Sequence, residues 1–281
     1  TGGAVAARLV GAGRRVRTLT GSAPADASER GGIEVYEWDR LPDAFDGVST
    51  FYNTFWMRTG DPGSSGKSYR QAVERSLALI AAATEAGVDR IVHLSVLNAD
   101  HPAAAKYPYF VAKARVEEAV RSAGVPYSIV RPALMFGGGS GMVEQLALVL
   151  RRVPVMGVAG DGRYRVRPVH VDDVAALCVG NRDGVVDAVG PDRPTFEQLA
   201  RAVAAALGKR RLFVHLPTPL VVGAGRALGK VVRQELITDG ELRSTMEGLA
   251  DTDGPATGDV SVLDWLIREF QSAAAHDARG R

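Results

Sequence analysis

Cysteine is almost absent from this chain of 281 residues. Cys178 has no second cysteine to pair with, so no intrachain disulfide forms, and nothing here supports a secreted protein. The sequence also lacks any run of about 18 uncharged apolar residues, so we predict no transmembrane helix. From these two absences we expect a cytoplasmic protein.

An excess of charge of one sign is also missing. Lys and Arg number 34 against 32 Asp and Glu, a net charge of +2, so we expect no nucleic-acid partner. Cysteine and histidine pairs at metal-ligand spacing are absent, and we therefore predict no metal site. Apolar residues make up 46% of the chain, enough to build the large core of an ordinary globular protein.

Short β-branched runs alternate with longer helical patterns along the first two thirds of the chain. Predicted strands cover residues 16–20, 33–37, 48–53, 90–95, 127–131 and 185–189, and predicted helices cover 4–11, 69–86 and 109–123. Two of these helices end in Ala-Gly-Val, with Gly87 and Gly124 placed where a left-handed cap is needed. The alternation predicts an α/β fold with a doubly wound, mostly parallel sheet.

The character of the sequence changes after Gly190-Pro191. Thr195 is a predicted N-cap for a helix over residues 196–207, and the remainder is expected to be helical apart from a short strand near 212–215. We therefore predict an α/β domain over 1–190, a small, mainly helical substrate lobe over 191–272, and a frayed tail over 273–281.

The chain opens directly on a helical pattern, with Thr1 in place of a start methionine and no strand before it. We expect that N-terminal residues are missing, and with them the first, central strand, which leaves a gap in the sheet. Gly2 and Gly3 begin the helix. They favour either a close approach of the backbone to a dinucleotide pyrophosphate or close packing of the helix on the sheet.

Tyr109 and Lys113 stand four residues apart on a predicted helix, so their side chains share one face. A neighbouring ammonium favours the phenolate form of a tyrosine, which suits proton transfer to or from an alcohol. The alternative is a chance spacing of two unrelated side chains.

Three further polar positions have two interpretations each. Ser95 ends a predicted strand, where parallel sheets bind ligands, although it would also brace the following loop. His93 lies inside that apolar strand and is more typical of a packed core histidine. Asp172 or Asp173 precedes a helical run, and we interpret it first as a helix N-cap.

The segment 61–68, with its Gly66-Lys67-Ser68, differs by one residue from a phosphate-binding P-loop. Asp61 occupies the first glycine position, and its carboxylate would repel phosphate. We therefore predict no nucleotide triphosphate site there.

Five segments in order resemble motifs of one protein family, from a truncated glycine loop to a His-Val-Asp-Asp-Val-Ala signature. They are Thr1–Leu9, Ala86–Ser95, Tyr109–Lys113, Arg131–Gly137 and Arg167–Ala175. Together they resemble the extended and atypical short-chain dehydrogenase/reductases, in particular the group around the 39-kDa subunit of mitochondrial complex I and nucleoside-diphosphate-sugar epimerases. The resemblance implies a Rossmann fold that binds NAD or NADP.

The resemblance also assigns roles to residues. Tyr109 would be the acid/base, Lys113 would hold the nicotinamide ribose and lower the pKa of Tyr109, and Ser95 would polarise the reacting carbonyl. The residues implied to contact the cofactor are Gly2, Gly3, Thr20, Asn53, Thr54, Lys113, Arg131 and Pro132.

The preference between NAD and NADP is judged at the end of the family's second strand. In this sequence that position is occupied by Thr20-Gly21-Ser22. It supplies neither the acid expected for NAD nor the arginine expected for NADP, and Arg17 or Arg30 as a phosphate partner tilts the prediction slightly towards NADP. The family implies hydride transfer with a small carbonyl or alcohol substrate, or epimerase-like chemistry on a sugar nucleotide. The alternative is a non-catalytic dinucleotide-binding scaffold or redox sensor. The sequence identifies neither the substrate nor the oligomeric state.

Overall fold

The computed structural model describes residues 1–20, 29–30, 33–56, 65–139, 141–180, 182–232 and 238–279. Contacts divide the chain into two compact units. Unit 1 is Thr1–Asp100, Pro108–Arg131 and Val174–Asp187, and unit 2 is His101–Tyr107, Pro132–Asp173 and Ala188–Arg281. Because the units interleave along the chain, the domain boundaries predicted at residues 190 and 272 stay a prediction.

Helices and strands alternate through most of the described chain. The helices are α1 (Gly2–Gly11), α2 (Leu41–Phe45), α3 (Ser65–Glu85), α4 (Pro108–Ser122), α5 (Met142–Arg152), α6 (Val171–Val179), α7 (Phe196–Ala206), α8 (Thr218–Val232), α9 (Asp239–Met246) and α10 (Val262–Arg279). The strands are β1 (Val16–Thr20), β2 (Glu29–Arg30), β3 (Ile33–Glu37), β4 (Thr50–Asn53), β5 (Arg90–Leu94), β6 (Tyr127–Pro132), β7 (Leu134–Phe136), β8 (Val155–Ala159), β9 (Pro168–His170), β10 (Gly184–Ala188) and β11 (Leu212–Leu216).

Unit 1 is built on two sheets. A four-stranded sheet has the order β10-β6-β5-β4, with β4, β5 and β6 parallel, and a three-stranded sheet has the order β1-β3-β2, with β1 and β3 parallel. Within the described residues β1 and β4 belong to different sheets. The predicted doubly wound α/β fold is confirmed.

The core of unit 1 explains why its central strands carry so few polar residues. Ile91 and Ile129 of the sheet are fully buried, and α3 and α4 pack against this layer with apolar side chains such as Val116. Strands enclosed in this way have to be apolar nearly throughout. The predicted glycine caps are also confirmed, because Gly87 and Gly124 adopt φ of 76° and 69°.

Unit 2 packs α5, α7 and α10 around a second core. Two parallel strand pairs, β7 with β9 and β8 with β11, belong to it. Thr195 forms the predicted N-cap, as part of a capping box. From residue 191 onwards the described chain contains four helices and one strand, as the prediction of a mainly helical lobe requires.

Sequence reasoning missed α5 and the strands β7, β8 and β9. These strands have only three to five residues, and all three pair with segments distant in the sequence, so local patterns are weak signals for them. α10 continues to Arg279, within the predicted tail, and the fraying of that tail stays a prediction. The alanines in residues 273–275 have high helix propensity, which favours the helix there.

Candidate functional site

Two buried polar side chains lie at the carboxyl ends of adjacent parallel strands. Asn53 ends β4 and is 1% exposed, and Ser95 follows β5 and is 3% exposed. Among the described residues, neither the Asn53 amide nor the Ser95 hydroxyl has a hydrogen-bond partner. Because buried polar groups are nearly always paired, such unpartnered groups at this edge of a sheet fit a polar ligand.

Lys113 of α4 is anchored at the same edge. Its Nζ donates a hydrogen bond of 2.8 Å to the backbone oxygen of Leu94, the residue before Ser95. The side chain is buried, and burial lowers the pKa of Lys113 to about 7, opposed by the carboxylate of Glu117. We call Asn53, Ser95 and Lys113 the ligand edge.

Tyr109 lies one helical turn before Lys113 and is half-buried. Its ring centroid is 5.6 Å from that of Trp56 and 5.9 Å from that of Tyr69. The structure therefore brings Tyr109 and Lys113 together with an aromatic group that sequence reasoning missed. The available signal was weak: Trp56 follows the end of a predicted strand by three residues.

The start of α1 lies against the end of β4. A Cβ on Gly2 would lie 2.7 Å from Oγ1 of Thr54, whereas one on Gly3 would meet nothing within 4 Å. Of the two interpretations of these glycines, close packing therefore applies to Gly2. Access of a ligand to the backbone remains a prediction for both.

Arg131, at the end of β6, is committed to carboxylates of its own unit. Its guanidinium makes two hydrogen bonds of 2.9 and 2.7 Å to Glu117 and two of 3.0 Å to Asp100. Arg121 adds a bond of 2.8 Å to the same Glu117. We call these four residues the arginine network. With its guanidinium so engaged, Arg131 is suited to fixing the end of β6, where Pro132 is also buried.

Of the two arginines predicted as partners for a cofactor phosphate, only Arg17 has a side chain in the described part of the structure. Arg17 pairs with Glu34 at 3.0 Å and donates to the backbone oxygen of Asp46 at 2.6 Å. It also stands three residues before Thr20, about 10 Å from the carboxyl end of β1. Arg17 is therefore a structural side chain. The side chains of Thr20 and Arg30, and residues 21–28, lie outside the described part of the chain, as do residues 61–64 of the P-loop-like segment.

The predictions for His93 and for the N-cap at Asp172 or Asp173 have different outcomes. His93 is fully buried in β5, and burial places its pKa well below 6.5, as expected for a neutral core histidine. The N-cap prediction for Asp172 or Asp173 is wrong, because α6 begins earlier, at Val171. His170 caps it instead, its Nδ1 accepting from the Asp172 backbone N–H at 3.2 Å.

No cluster of three or more His, Cys, Asp or Glu side chains has an arrangement that would hold a metal ion within the described residues. Over the same residues, no helix combines the length and apolar character needed to span a bilayer.

The parallel sheets and the polar groups at the carboxyl ends of their strands agree with the resemblance to the atypical short-chain dehydrogenase/reductases. A model of the NmrA-like family matches residues 1–147, and the chain belongs to that family.

Two relatives are similar to part of this sequence. The chain is 27% identical over 190 residues to the mitochondrial NADH-ubiquinone oxidoreductase 40 kDa subunit of Neurospora crassa, covering 65% of this chain and 49% of that protein. It is 29% identical over 208 residues to the ceramide reductase of Caulobacter vibrioides, covering 66% and 64%. The chain thus spans less than two thirds of either relative.

A solved structure shares the fold over nearly the whole chain. The triphenylmethane reductase of Citrobacter sp., complexed with NADP(H), matches with a TM-score of 0.73 and 18% identity, covering 96% of each chain. At this identity the likeness shows a common fold.

Proposed function

We propose that this chain binds a nicotinamide dinucleotide at the carboxyl ends of β4 and β5 and acts as an oxidoreductase on a carbonyl or alcohol. The observation that carries the proposal is the ligand edge. Asn53 and Ser95 present buried groups with unused hydrogen-bonding capacity beside a lysine held on the backbone of Leu94. That combination is costly for a purely structural role and is suited to a polar ligand.

The residues of unit 1 divide the task of holding such a cofactor. Gly2 and Gly3, at the N-terminus of α1, suit the pyrophosphate, because helix N-termini favour anions. Lys113 suits the ribose hydroxyls. Asn53 and Thr54, at the end of β4, and Thr20, at the end of β1, suit contacts along the cofactor. Arg131 fixes the end of β6. When bound, the nicotinamide supplies or accepts a hydride.

The protein side of the chemistry falls to three side chains. The Ser95 hydroxyl donates a hydrogen bond to the oxygen of the substrate carbonyl and orients it. The Tyr109 hydroxyl delivers a proton to that oxygen in the reducing direction and recovers it in the other. The Lys113 ammonium, one turn further along α4, favours the phenolate form of Tyr109.

We further propose NADP over NAD and reduction over epimerisation. With Arg17 engaged by Glu34, the preference for a 2′-phosphate rests on Arg30, and on the fold shared with a reductase complexed with NADP(H). Two of the relatives are reductases by name, which favours net hydride transfer to a substrate.

The test begins with fluorescence titration of NADPH and NADH against the purified chain, followed by assay of NADPH oxidation with a panel of ketones and aldehydes. Tyr109→Phe should retain affinity and lose roughly 10²-fold or more in turnover. Tyr107→Phe is the matched control, because it removes the hydroxyl of a tyrosine two residues away, which hydrogen-bonds to Glu247. Failure of both dinucleotides to bind would overturn the proposal.

A second candidate is a non-catalytic dinucleotide-binding scaffold or redox sensor. Similarity to a subunit of NADH-ubiquinone oxidoreductase favours it. Under this alternative, NADPH or NADH binds, no substrate in the panel is turned over, and Tyr109→Phe changes nothing that can be measured. The same titration and assay therefore separate the two candidates.

A further inference from the structure

An aromatic cluster encloses the Tyr109–Lys113 pair from two other elements. Trp56 comes from the segment after β4, and Tyr69 comes from α3. The rings of Trp56 and Tyr69 stack with centroids 6.0 Å apart, and Tyr109 meets Trp56 edge-on.

Trp56 also contacts the lysine. The Nζ atom of Lys113 lies 4.0 Å from the centroid of the indole. An ammonium over the face of a tryptophan is attracted by the ring quadrupole, most strongly where water is excluded. The ammonium also donates to the backbone oxygen of Leu94, and beside that bond the indole replaces much of the water that a free lysine would bind.

We propose that Trp56 is a positioning residue for the Tyr109–Lys113 pair. Its indole holds the Lys113 ammonium against Leu94, excludes water from it, and packs on the Tyr109 ring. This inference rests on the proposed function, in which those two side chains act. The role of Trp56 itself can be tested without cofactor or substrate.

Several titratable groups surround Lys113 and have to be separated from it in any pH experiment. Glu117 and Tyr109 lie on its own helix, His93 faces it from β5, and Tyr69 belongs to the aromatic cluster from α3. His93 has a pKa well below 6.5, so its titration falls below that of Lys113 at about 7. A lysine ammonium in water ordinarily titrates near 10.4, well above this window.

The experiment follows the Cε signals of the five lysines by NMR as pH is raised, in the cofactor-free protein. In the wild type we expect one signal, lost in Lys113→Met, with a midpoint near 7. Trp56→Ala should admit water and raise that midpoint by at least about one pH unit, because desolvation is the main cause of the low value. Trp56→Phe, which keeps an aromatic face, should restore it to within about half a unit.

Trp38→Ala is the matched control. Trp38 lies in the same unit and also faces a cation, the Arg75 guanidinium at 5.3 Å, so its loss should leave the Lys113 midpoint unchanged. A folded Trp56→Ala protein with an unchanged midpoint would overturn the inference.

A second readout covers the case in which Trp56→Ala does not fold. The indole emission of the Trp38→Phe, Trp265→Phe protein reports Trp56 alone, and it should change with a midpoint near 7. The change should disappear when Lys113→Met is added, and its persistence would contradict the contact. If Trp56 passes these tests and no dinucleotide binds, the proposed function fails while the positioning role stands.

Discussion

The ligand edge and the Arg131–Glu117 pair at the centre of the arginine network are both buried in unit 1, but they differ in how their hydrogen bonds are satisfied. In the arginine network, Arg131 makes four hydrogen bonds to two carboxylates. In the ligand edge, Asn53 and Ser95 have no hydrogen-bond partner among the described residues. Hydrogen bonds therefore compensate for the burial of polar groups in the arginine network, and they do not do so at the ligand edge.

The difference separates structural from functional polarity. A network in which Arg131 uses four of its five N–H donors on carboxylates holds elements together, so Arg131 is suited to support a site without binding its ligand. Groups left with unused capacity cost stability unless something else binds them. The comparison predicts opposite responses to mutation: large losses of stability in the network, and small ones with large functional losses at the ligand edge.

The largest expected effect comes from breaking the network. Arg131→Met leaves Glu117, 1% exposed, as a buried charge without its main partner, and should cost about 3–5 kcal/mol of unfolding free energy. Urea denaturation measures this change.

The control is Arg40→Met, which breaks an exposed pair with Asp43 and should leave the urea midpoint unchanged. If Arg131→Met lowered the unfolding free energy no more than Arg40→Met does, the arginine network would not stabilise the fold. The contrast between the network and the ligand edge would then be wrong.

The next effect concerns pH at the ligand edge. Lys113 has a folded-state pKa of about 7, against an ordinary lysine value of 10.5, so between these limits the unfolded chain binds more protons than the folded one. Stability should therefore rise with pH across this window, by up to about 1.4 kcal/mol per pH unit, and this contribution should be absent below it.

The measurement compares urea unfolding of the wild type and Lys113→Met at several pH values from neutral upward. The difference between their slopes isolates Lys113 from groups common to both proteins. Parallel slopes would mean that the lysine is hydrated in solution, and the enclosure by Trp56 would then be wrong as well.

These predictions rest on contacts that the sequence reveals unequally. The strands and the helix caps at Gly87 and Gly124 follow from local patterns, and helical periodicity alone places Tyr109 and Lys113 on one face. The position of Trp56 over Lys113 joins residues far apart in sequence, and no periodicity encodes it.

The arginine network also shows what the sequence alone does not reveal. The family motif drew attention to Arg131 and gave it a place beside the cofactor. Its partners, Asp100 in a loop and Glu117 on α4, are set by the tertiary fold. Residue types and motif order thus predicted the fold and the residues of the candidate site, whereas which polar groups are already satisfied could be read only from the structure.

A smaller effect is expected where α1 meets β4. Gly2→Ala places a Cβ 2.7 Å from Thr54 Oγ1, and the shift this forces should cost about 1 kcal/mol and weaken dinucleotide binding. Gly3→Ala meets nothing and should be neutral or stabilising by up to about 1 kcal/mol. Thermal unfolding and the NADPH titration together check the pair. Equal responses of the two variants would remove the packing interpretation of Gly2.

The smallest effect on stability is the sharpest test of the comparison. Ser95→Ala removes a buried hydroxyl that has no partner in the described structure, so no hydrogen bond is lost and the unfolding free energy should not fall. Ser128→Ala is matched to it, because Ser128 is also buried and unpartnered but lies near the amino end of β6.

Both serine variants should be equally stable, and only Ser95→Ala should lose turnover in the ketone and aldehyde assay. If both lost it, the defect would be a general one of packing in the sheet. If neither did, unused hydrogen-bonding capacity would not mark the site, and the position of a polar group at the carboxyl edge of the sheet would carry no functional information. The two serines differ in location and not in saturation, so this pair tests whether the edge itself, and not burial alone, makes the site.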